Sequence, residues 1–385
     1  METRDLDPDD LDQALDIRER SFGLISESGK DHWRRWTRRA LADRRVLGCY
    51  DGRRLVGTAR INRYRQWWWG RSLPMAGIAS VVVAPEYRGR GVGRQMMQAT
   101  LDRAAELGYP ISVLYPATVP LYRDRGWEIG GAQHLVTLPT AALRRLTTRP
   151  VPLRRVGPDD AGEIRSVVSA VHAASRVCGP IDSEEVELRH WLAQDRPFAY
   201  LAEDGFLAYR WDGGDLMVDT LVAGSGETAR TLWSVVGSGS SIAATVKACV
   251  GPTDPLYWLV GEAVVKPAAE YRWMLRLLDV PGALAGRGYP DAVTAEVVLD
   301  VTDPHRPENT GVWRLRVAKG TGQVTGGGDV TGRAATRLGP RGLAALFAGT
   351  PAATLRTAGL LAGGEGQDPL LDAVFAAQPY LLEYF

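Results

Sequence analysis

Residues 77 to 93, GIASVVVAPEYRGRGVG, constrain this chain more than any other stretch. The apolar run Ile78 to Ala84 reads as a buried strand, and Pro85 ends it because proline cannot donate to a sheet ladder. The loop Arg88-Gly89-Arg90-Gly91-Val92-Gly93 follows, and a helix is expected over about 91 to 107. Glycines at 89, 91 and 93 let the main chain approach a ligand closely, and the unpaired amides of a new helix point toward it. A diphosphate suits such a place. Helix-end electrostatics supply roughly 0.3 to 1 kcal/mol at exposed sites, and Arg88 and Arg90 add charge. A nucleotide P-loop would need a lysine after its last glycine, and a dinucleotide fold would open its first strand-helix unit with the loop. Here several elements come first.

Those elements are two amphipathic helices, around 8 to 21 and 30 to 42, and two strands, 45 to 51 and 54 to 69, which turn at Asp51-Gly52. Beyond the loop helix, a strand at 111 to 116, a short helix at 119 to 125 and strands through residue 138 are predicted. The segment 151 to 176 repeats the Pro-Asp-Asp start of the chain before an apolar-periodic helix, which suggests a duplicated domain. Its strands would be 197 to 204, 205 to 212 and 215 to 224, with a helix at 226 to 236 and no arginine-glycine loop. VVGSGSS, at 235 to 241, follows that helix where such a loop should precede it, and reads as a connection. From 286 onward come alternating segments, the glycine-rich GQVTGGGDVTGRAATRLG and a final helix DPLLDAVFAAQPYLLEYF, an α+β unit. The expected domains are therefore 1–148, 149–285 and 286–385, within a mixed α/β (α+β) fold.

With 46 basic and 45 acidic side chains, no global field draws the chain to nucleic acid or to an anionic membrane. Cys49, Cys178 and Cys249 are odd in number, widely spaced and far from histidine, which argues against a disulfide framework and against a metal site. The N-terminus is acidic where a signal peptide would be basic then apolar, and no run approaches the roughly 18 apolar residues of a membrane span. The expectation is a soluble, cytoplasmic protein without metal.

VVVAPEYRGRGVGRQMM resembles the acetyl-CoA motif of the GNAT superfamily, Arg-x-x-Gly-x-Gly after the fourth strand. The likeness implies that Arg88, Gly89, Arg90, Gly91, Val92 and Gly93 bind the pyrophosphate of acetyl-CoA, a cosubstrate. It also implies that main-chain amides of Val81, Val82 and Val83 polarise the thioester carbonyl. Tyr122, in LYRDRGW, matches the tyrosine that protonates the departing thiolate, and a phenol of pKa about 10 can donate to a thiol near 8.5. Tandem GNAT domains, the second without a CoA loop, followed by a sterol-carrier-like domain, resemble the enhanced intracellular survival (Eis) family of aminoglycoside N-acetyltransferases. That likeness implies a hexamer and a terminal carboxylate, here on Phe385, that acts as general base. With an ordinary pKa of about 3.3 to 3.7, such a base needs desolvation or a water relay. Family members often carry an acidic residue just before the final phenylalanine, whereas this chain has Tyr384 there and Glu383 one position earlier.

The acceptor would be a primary amine on a polycationic small molecule, most readily an aminoglycoside; polyamines and protein lysines are the alternatives. A lipid-binding protein with a vestigial CoA site is the competing reading. Within the family likeness, Trp33 and Trp36 on the second helix, Trp191 beside His190, and Glu383 are candidate acceptor contacts. Trp67, Trp68 and Trp69 cannot all face one side of a strand, so at least one should be exposed or covered by another subunit.

Overall fold

The alternation of apolar and polar residues in RLVGTARINRYRQWW extends one strand over fifteen residues, and this strand organises the first half of the molecule. In a computed structural model, which describes residues 1–146, 149–194, 197–260, 264–326 and 335–385, the strands run β1 (Glu2–Asp5), β2 (Val46–Asp51), β3 (Arg54–Trp68), β4 (Arg71–Val83), β5 (Ile111–Leu114) and β6 (Glu128–Pro139). The middle of the chain adds β7 (Arg154–Val156), β8 (Cys178–Asp182), β9 (Phe198–Ala202), β10 (Gly205–Asp212), β11 (Asp215–Ala223), β12 (Thr245–Val250) and β13 (Lys266–Leu277). These thirteen form one sheet, in the order β1-β2-β3-β4-β5-β13-β6-β12-β11-β10-β9-β7, with β8 paired to the far end of β3. The expected boundary at residue 148 lies outside the described residues, and the sheet runs on across that region.

The two halves exchange strands. β13, from the middle of the chain, inserts between β5 and β6 and pairs antiparallel with both, Leu275 opposite Val113 and Glu128. β6 in turn pairs with β12 along its length. The parallel pairing of β4 with β5 covers only Met75 to Ile78, so β4 runs on alone from Ala79 to Val83 on that side. The β3–β4 register slips there, and Ser80 takes a positive φ of 52°, a bulge that tilts the end of β4 away from its neighbour.

Helices α1 (Leu11–Phe22) and α2 (Glu27–Ala42) pack on one face of the first half through Leu11, Ala14, Ile17 and Ala40. Helix α3 (Val92–Glu106) covers the other face through Met96, Met97 and Leu101. Short α4 (Val119–Arg123) follows β5, and α5 (Thr140–Arg144) follows β6. The middle part is flanked by α6 (Ala161–Ser175), α7 (Glu185–Gln194), α8 (Gly226–Gly237) and α9 (Leu256–Val260).

The C-terminal part begins with α10 (Val280–Gly286) and builds a five-stranded sheet from β14 (Ala295–Val301), β15 (Gly311–Ala318), β16 (Thr321–Gly326), β17 (Thr336–Leu338) and β18 (Leu361–Ala362), in the order β16-β15-β14-β17-β18. Helices α11 (Pro340–Phe347), α12 (Ala352–Thr357) and α13 (Asp368–Val374) complete it. Its core is continuous with the large sheet: Trp68, Met75, Val113 and Leu275 join Leu299, Leu315, Leu346 and Phe375 in one cluster. Arg287, fully buried, sits over the rings of Trp68 and Phe347 at 5.2 and 4.4 Å and donates to the Phe347 carbonyl.

Two expectations are corrected. The final helix ends at Val374, and residues 376 to 385 run extended, because Pro379 disfavours helix in the residue before it and supplies no amide of its own. The Trp67–Trp69 run is covered by the chain itself: Trp68 is wholly buried, Trp67 is 8% exposed, and half-buried Trp69 donates its indole N–H to the Ala376 carbonyl at 2.6 Å. The C-terminal part covers Trp68 and Trp69, and His172 of the middle part lies against Trp67, so no second subunit is required. Residues 327 to 334 of GQVTGGGDVTGRAATRLG lie outside the described residues.

Candidate active site

The arginine-glycine loop joins the end of β4 to α3. Gly89 and Gly91 hold φ of 76° and 83°, a region that costs side-chain-bearing residues strain, and a Cβ at either would meet nothing within 4 Å. The loop is thus an open cradle. The first hydrogen bond of α3 runs from Gln95 N to Gly91 O, so the amides of Val92, Gly93 and Arg94 stand ahead of it. Val92 turns its side chain into the core while its amide stays in the first turn. Arg88 and Arg90 are exposed, Arg90 5.1 Å from the Tyr87 ring and Arg88 donating to the Val83 carbonyl at 3.4 Å. In the middle part α8 is different: its own Ser225 caps it, the hydroxyl accepting from Thr228 N at 3.2 Å. Val82 packs in the core, whereas Val81 and Val83 are half-buried on the opposite face of β4, beside the gap left by β5.

Tyr122 lies on α4, which leans on the start of α3; a Cβ at Gly93 would sit 3.5 Å from Leu121. Burial pushes the Tyr122 phenol up to about 12, with Tyr384 adding to the effect, so the hydroxyl keeps its proton throughout the physiological range.

The chain end reaches the same region. Tyr380 N donates to Cys178 O, Leu381 N to Ala132 O, Gln133 Nε2 to Leu382 O and Tyr115 Oη to Glu383 O, at 3.1, 3.2, 2.7 and 2.9 Å. A Cβ at Gly179, whose φ is 105°, would collide with the Tyr380 backbone, so the tail fits only over glycine there. Tyr384 stacks on Tyr115 at 4.1 Å, and the Phe385 ring lies 5.0 Å from Tyr64 and 5.7 Å from Tyr115.

The tail walls a cavity of about 680 Å³ between the two halves of the sheet, a size that suits a small molecule. Trp36, Trp191, Glu383 and Phe385 line it; Trp33 does not, since it packs into the core under α1 and α2. Trp36, His32 and His190 form a stack on one wall, with His190 Nε2 2.6 Å from His32 Nδ1. On β3, Arg60, Asn62 and Tyr64 face the cavity while Ala59 and Ile61 face the core. Residues His32, Arg60, Tyr64, Arg165 and Glu187 escaped the sequence reading. The signal was present for those on β3, a polar residue at every second position of an interior strand.

Carboxylates are the other feature of the lining. Burial, with Glu184 nearby, pushes Glu187 up to about 7, and burial with the charge of Asp182 does the same to Glu383. Asp182 itself is held below its ordinary value by His172, Trp67 and Ser169 against the opposing effect of burial.

Residues 2–130 and 182–277 each match an acetyltransferase (GNAT) domain family, and residues 280–382 a sterol carrier protein domain family. The structure is similar to a GCN5-related N-acetyltransferase from Kribbella flavida, with 49% identity and a TM-score of 0.96 over 100% of this chain and 98% of that one. It is also similar to a GCN5-related N-acetyltransferase from Anabaena variabilis, with 28% identity and a TM-score of 0.88 over the full length of both. In sequence, the N-acetyltransferase Eis of Mycobacterium tuberculosis is 29% identical over 279 residues, which is 66% of this chain and 66% of that protein. The chain belongs to the GCN5-related N-acetyltransferase family of acyltransferases, within its Eis-like members, and is a mixed α/β protein of GNAT domains followed by a sterol-carrier-like domain.

Proposed function

We propose that this protein transfers an acetyl group directly from acetyl-CoA to a primary amine of a small molecule. The observation that carries the reading is the open cradle of Gly89 and Gly91 ahead of the free first turn of α3, next to the unpaired end of β4. The cosubstrate supplies an acyl group already activated as a thioester. The loop amides with Arg88 and Arg90 would hold the diphosphate, and the amides of Val81 to Val83 would donate to the carbonyl as charge develops on its oxygen. Tyr122, protonated and buried, donates a hydrogen bond to the leaving sulfur. The Phe385 carboxylate, delivered by the anchored tail, would take a proton from the substrate ammonium, directly or through water, so that the free amine attacks the thioester carbonyl, the N–C bond forms and the C–S bond breaks with CoA leaving.

Trp36, Trp191 and Glu383 are proposed to contact the acceptor, and the assignment of Trp33 is withdrawn from that role because of its place in the core. Aminoglycosides are the acceptors that the Eis likeness suggests, with polyamines and lysine side chains after them. The same likeness suggests a hexamer in the cytoplasm, which sedimentation velocity and fractionation can check. Among the described residues, no helix is long and apolar enough to cross a membrane. We take residues 1–148, 149–285 and 286–385 as the three evolutionary units. A thiol-release assay with acetyl-CoA and a panel of amines tests the function. Tyr122→Phe should lower kcat by about 10² to 10⁴ with CoA affinity retained, and unchanged turnover would remove Tyr122 from the reaction.

A further inference from the structure

The acceptor cavity holds two guanidiniums whose buried Nε atoms find no hydrogen-bond acceptor among the described residues. Arg60, on β3, lines it with a buried Nε; its guanidinium makes no hydrogen bond or salt bridge with the described residues and feels only the attraction of Tyr64 and Glu187. Arg165, on α6, lines it from the other half of the sheet and likewise has no hydrogen-bond partner among the described residues, its Nε also buried. Arg210, by contrast, is 3.2 Å from Asp219. Burial pulls the Arg60 guanidinium below its ordinary value, but an arginine keeps its charge at any pH a protein survives. A desolvated guanidinium without an acceptor costs free energy, and such a group in a substrate cavity is explained when a ligand oxyanion completes it.

The acidic side of the cavity is weaker than a count of its carboxylates suggests. Glu187 and Glu383 both have their carboxyls raised to about 7, so near neutral pH each carries only part of a charge. Asp219, also in the lining, is paired with Arg210, which leaves the Phe385 carboxylate and Asp182 for a cationic amine. A uniformly cationic acceptor would thus place some of its ammonium groups near Arg60 and Arg165, where like charges repel.

We infer that the acceptor is a small amino acid-like molecule, which carries its primary amine and an anionic group, carboxylate or phosphate, together. The amine meets the terminal carboxylate, and the anion meets Arg60 and Arg165. This rests on the acetyl-transfer reading of the same site and replaces the aminoglycosides and polyamines that the family likeness suggests as its acceptors.

The test uses matched acceptors under saturating acetyl-CoA: lysine against cadaverine for carboxylate, and O-phosphoethanolamine against ethanolamine for phosphate, with spermidine as a polycation. The acid-bearing member of at least one pair should have a kcat/KM roughly ten- to a hundredfold above its acid-free partner, the factor expected of one or two charge-assisted hydrogen bonds. Arg60→Gln and Arg165→Gln should each erase most of that preference while CoA affinity stays unchanged. Calorimetry on CoA-saturated protein reads the same preference without turnover. Equal or better use of the acid-free member in both pairs, use of spermidine above either acid-bearing acceptor, or equal binding within both pairs overturns the inference. A protein that binds no CoA would defeat acetyl transfer instead, and the paired calorimetry on the free protein would still decide the anion site.

Discussion

Glu187 shows how one side chain ties the cavity to the stability of the fold. Its carboxyl holds a proton to about pH 7 when folded, because it is buried beside Glu184, whereas the ordinary value is 4.5. The folded chain therefore binds the proton more tightly, so its stability is full below about pH 4.5 and falls as pH rises toward 7. Glu187→Gln should remove about 2 to 3 kcal/mol of that fall, read as a smaller difference between urea unfolding at pH 5 and at pH 8. An undiminished difference would mean that Glu187 ionises freely. At the loop, Gly91 has a φ of 83° and no neighbour within 4 Å of a Cβ, so only backbone strain opposes a side chain. Gly91→Val should cost about 1 to 2 kcal/mol of local strain and weaken CoA binding at least tenfold by calorimetry; unaltered affinity would place the diphosphate elsewhere. The loop itself was legible because glycine spacing and a terminating proline are local signals. Arg60 and Arg165 were not, since their lack of hydrogen-bond partners among the described residues depends on what the fold leaves out of reach.

At the level of elements, β13 decides the architecture. It supplies the strand beside β5, and Arg276 within it forms a buried ion pair with Asp303 at 2.6 Å, each side chain 1% exposed. Asp303→Ala would strand that guanidinium and should cost about 3 to 5 kcal/mol, measured by denaturant unfolding. A loss below 1 kcal/mol would show that Arg276 finds other partners. Most helices and strands of the first half were readable from periodicity, as α1, α2, β2 and β3 show, with ends displaced by up to a few residues. β12 and β13 were not foreseen. The outer half of β13, Lys266 to Arg272, is largely exposed and only Trp273 to Leu277 are buried, so neither a helical nor a two-residue period marks it. Its position between β5 and β6 is set by tertiary pairing, which no local pattern records.

Across the whole molecule, the chain leaves the large sheet at Leu277, builds the C-terminal part and returns to the cavity wall with its last six residues. Four hydrogen bonds and the stack of Tyr384 on Tyr115 hold that return in place. The family likeness foretold that the terminus comes back, but the sequence pattern alone suggested a helix there. What keeps it extended is the set of partners, Cys178, Ala132, Gln133 and Tyr115, all distant in sequence. Extending the chain beyond Phe385 should therefore abolish turnover and leave CoA affinity intact, and a fully active C-terminal fusion would discredit the terminal base.

The central claim is that the loop between β4 and α3 holds coenzyme A. Titration calorimetry of the purified full-length chain with CoA tests it most directly. One site per chain, lost when Arg88 and Arg90 are both replaced by alanine, is the predicted result. No heat of binding at any accessible concentration would contradict it.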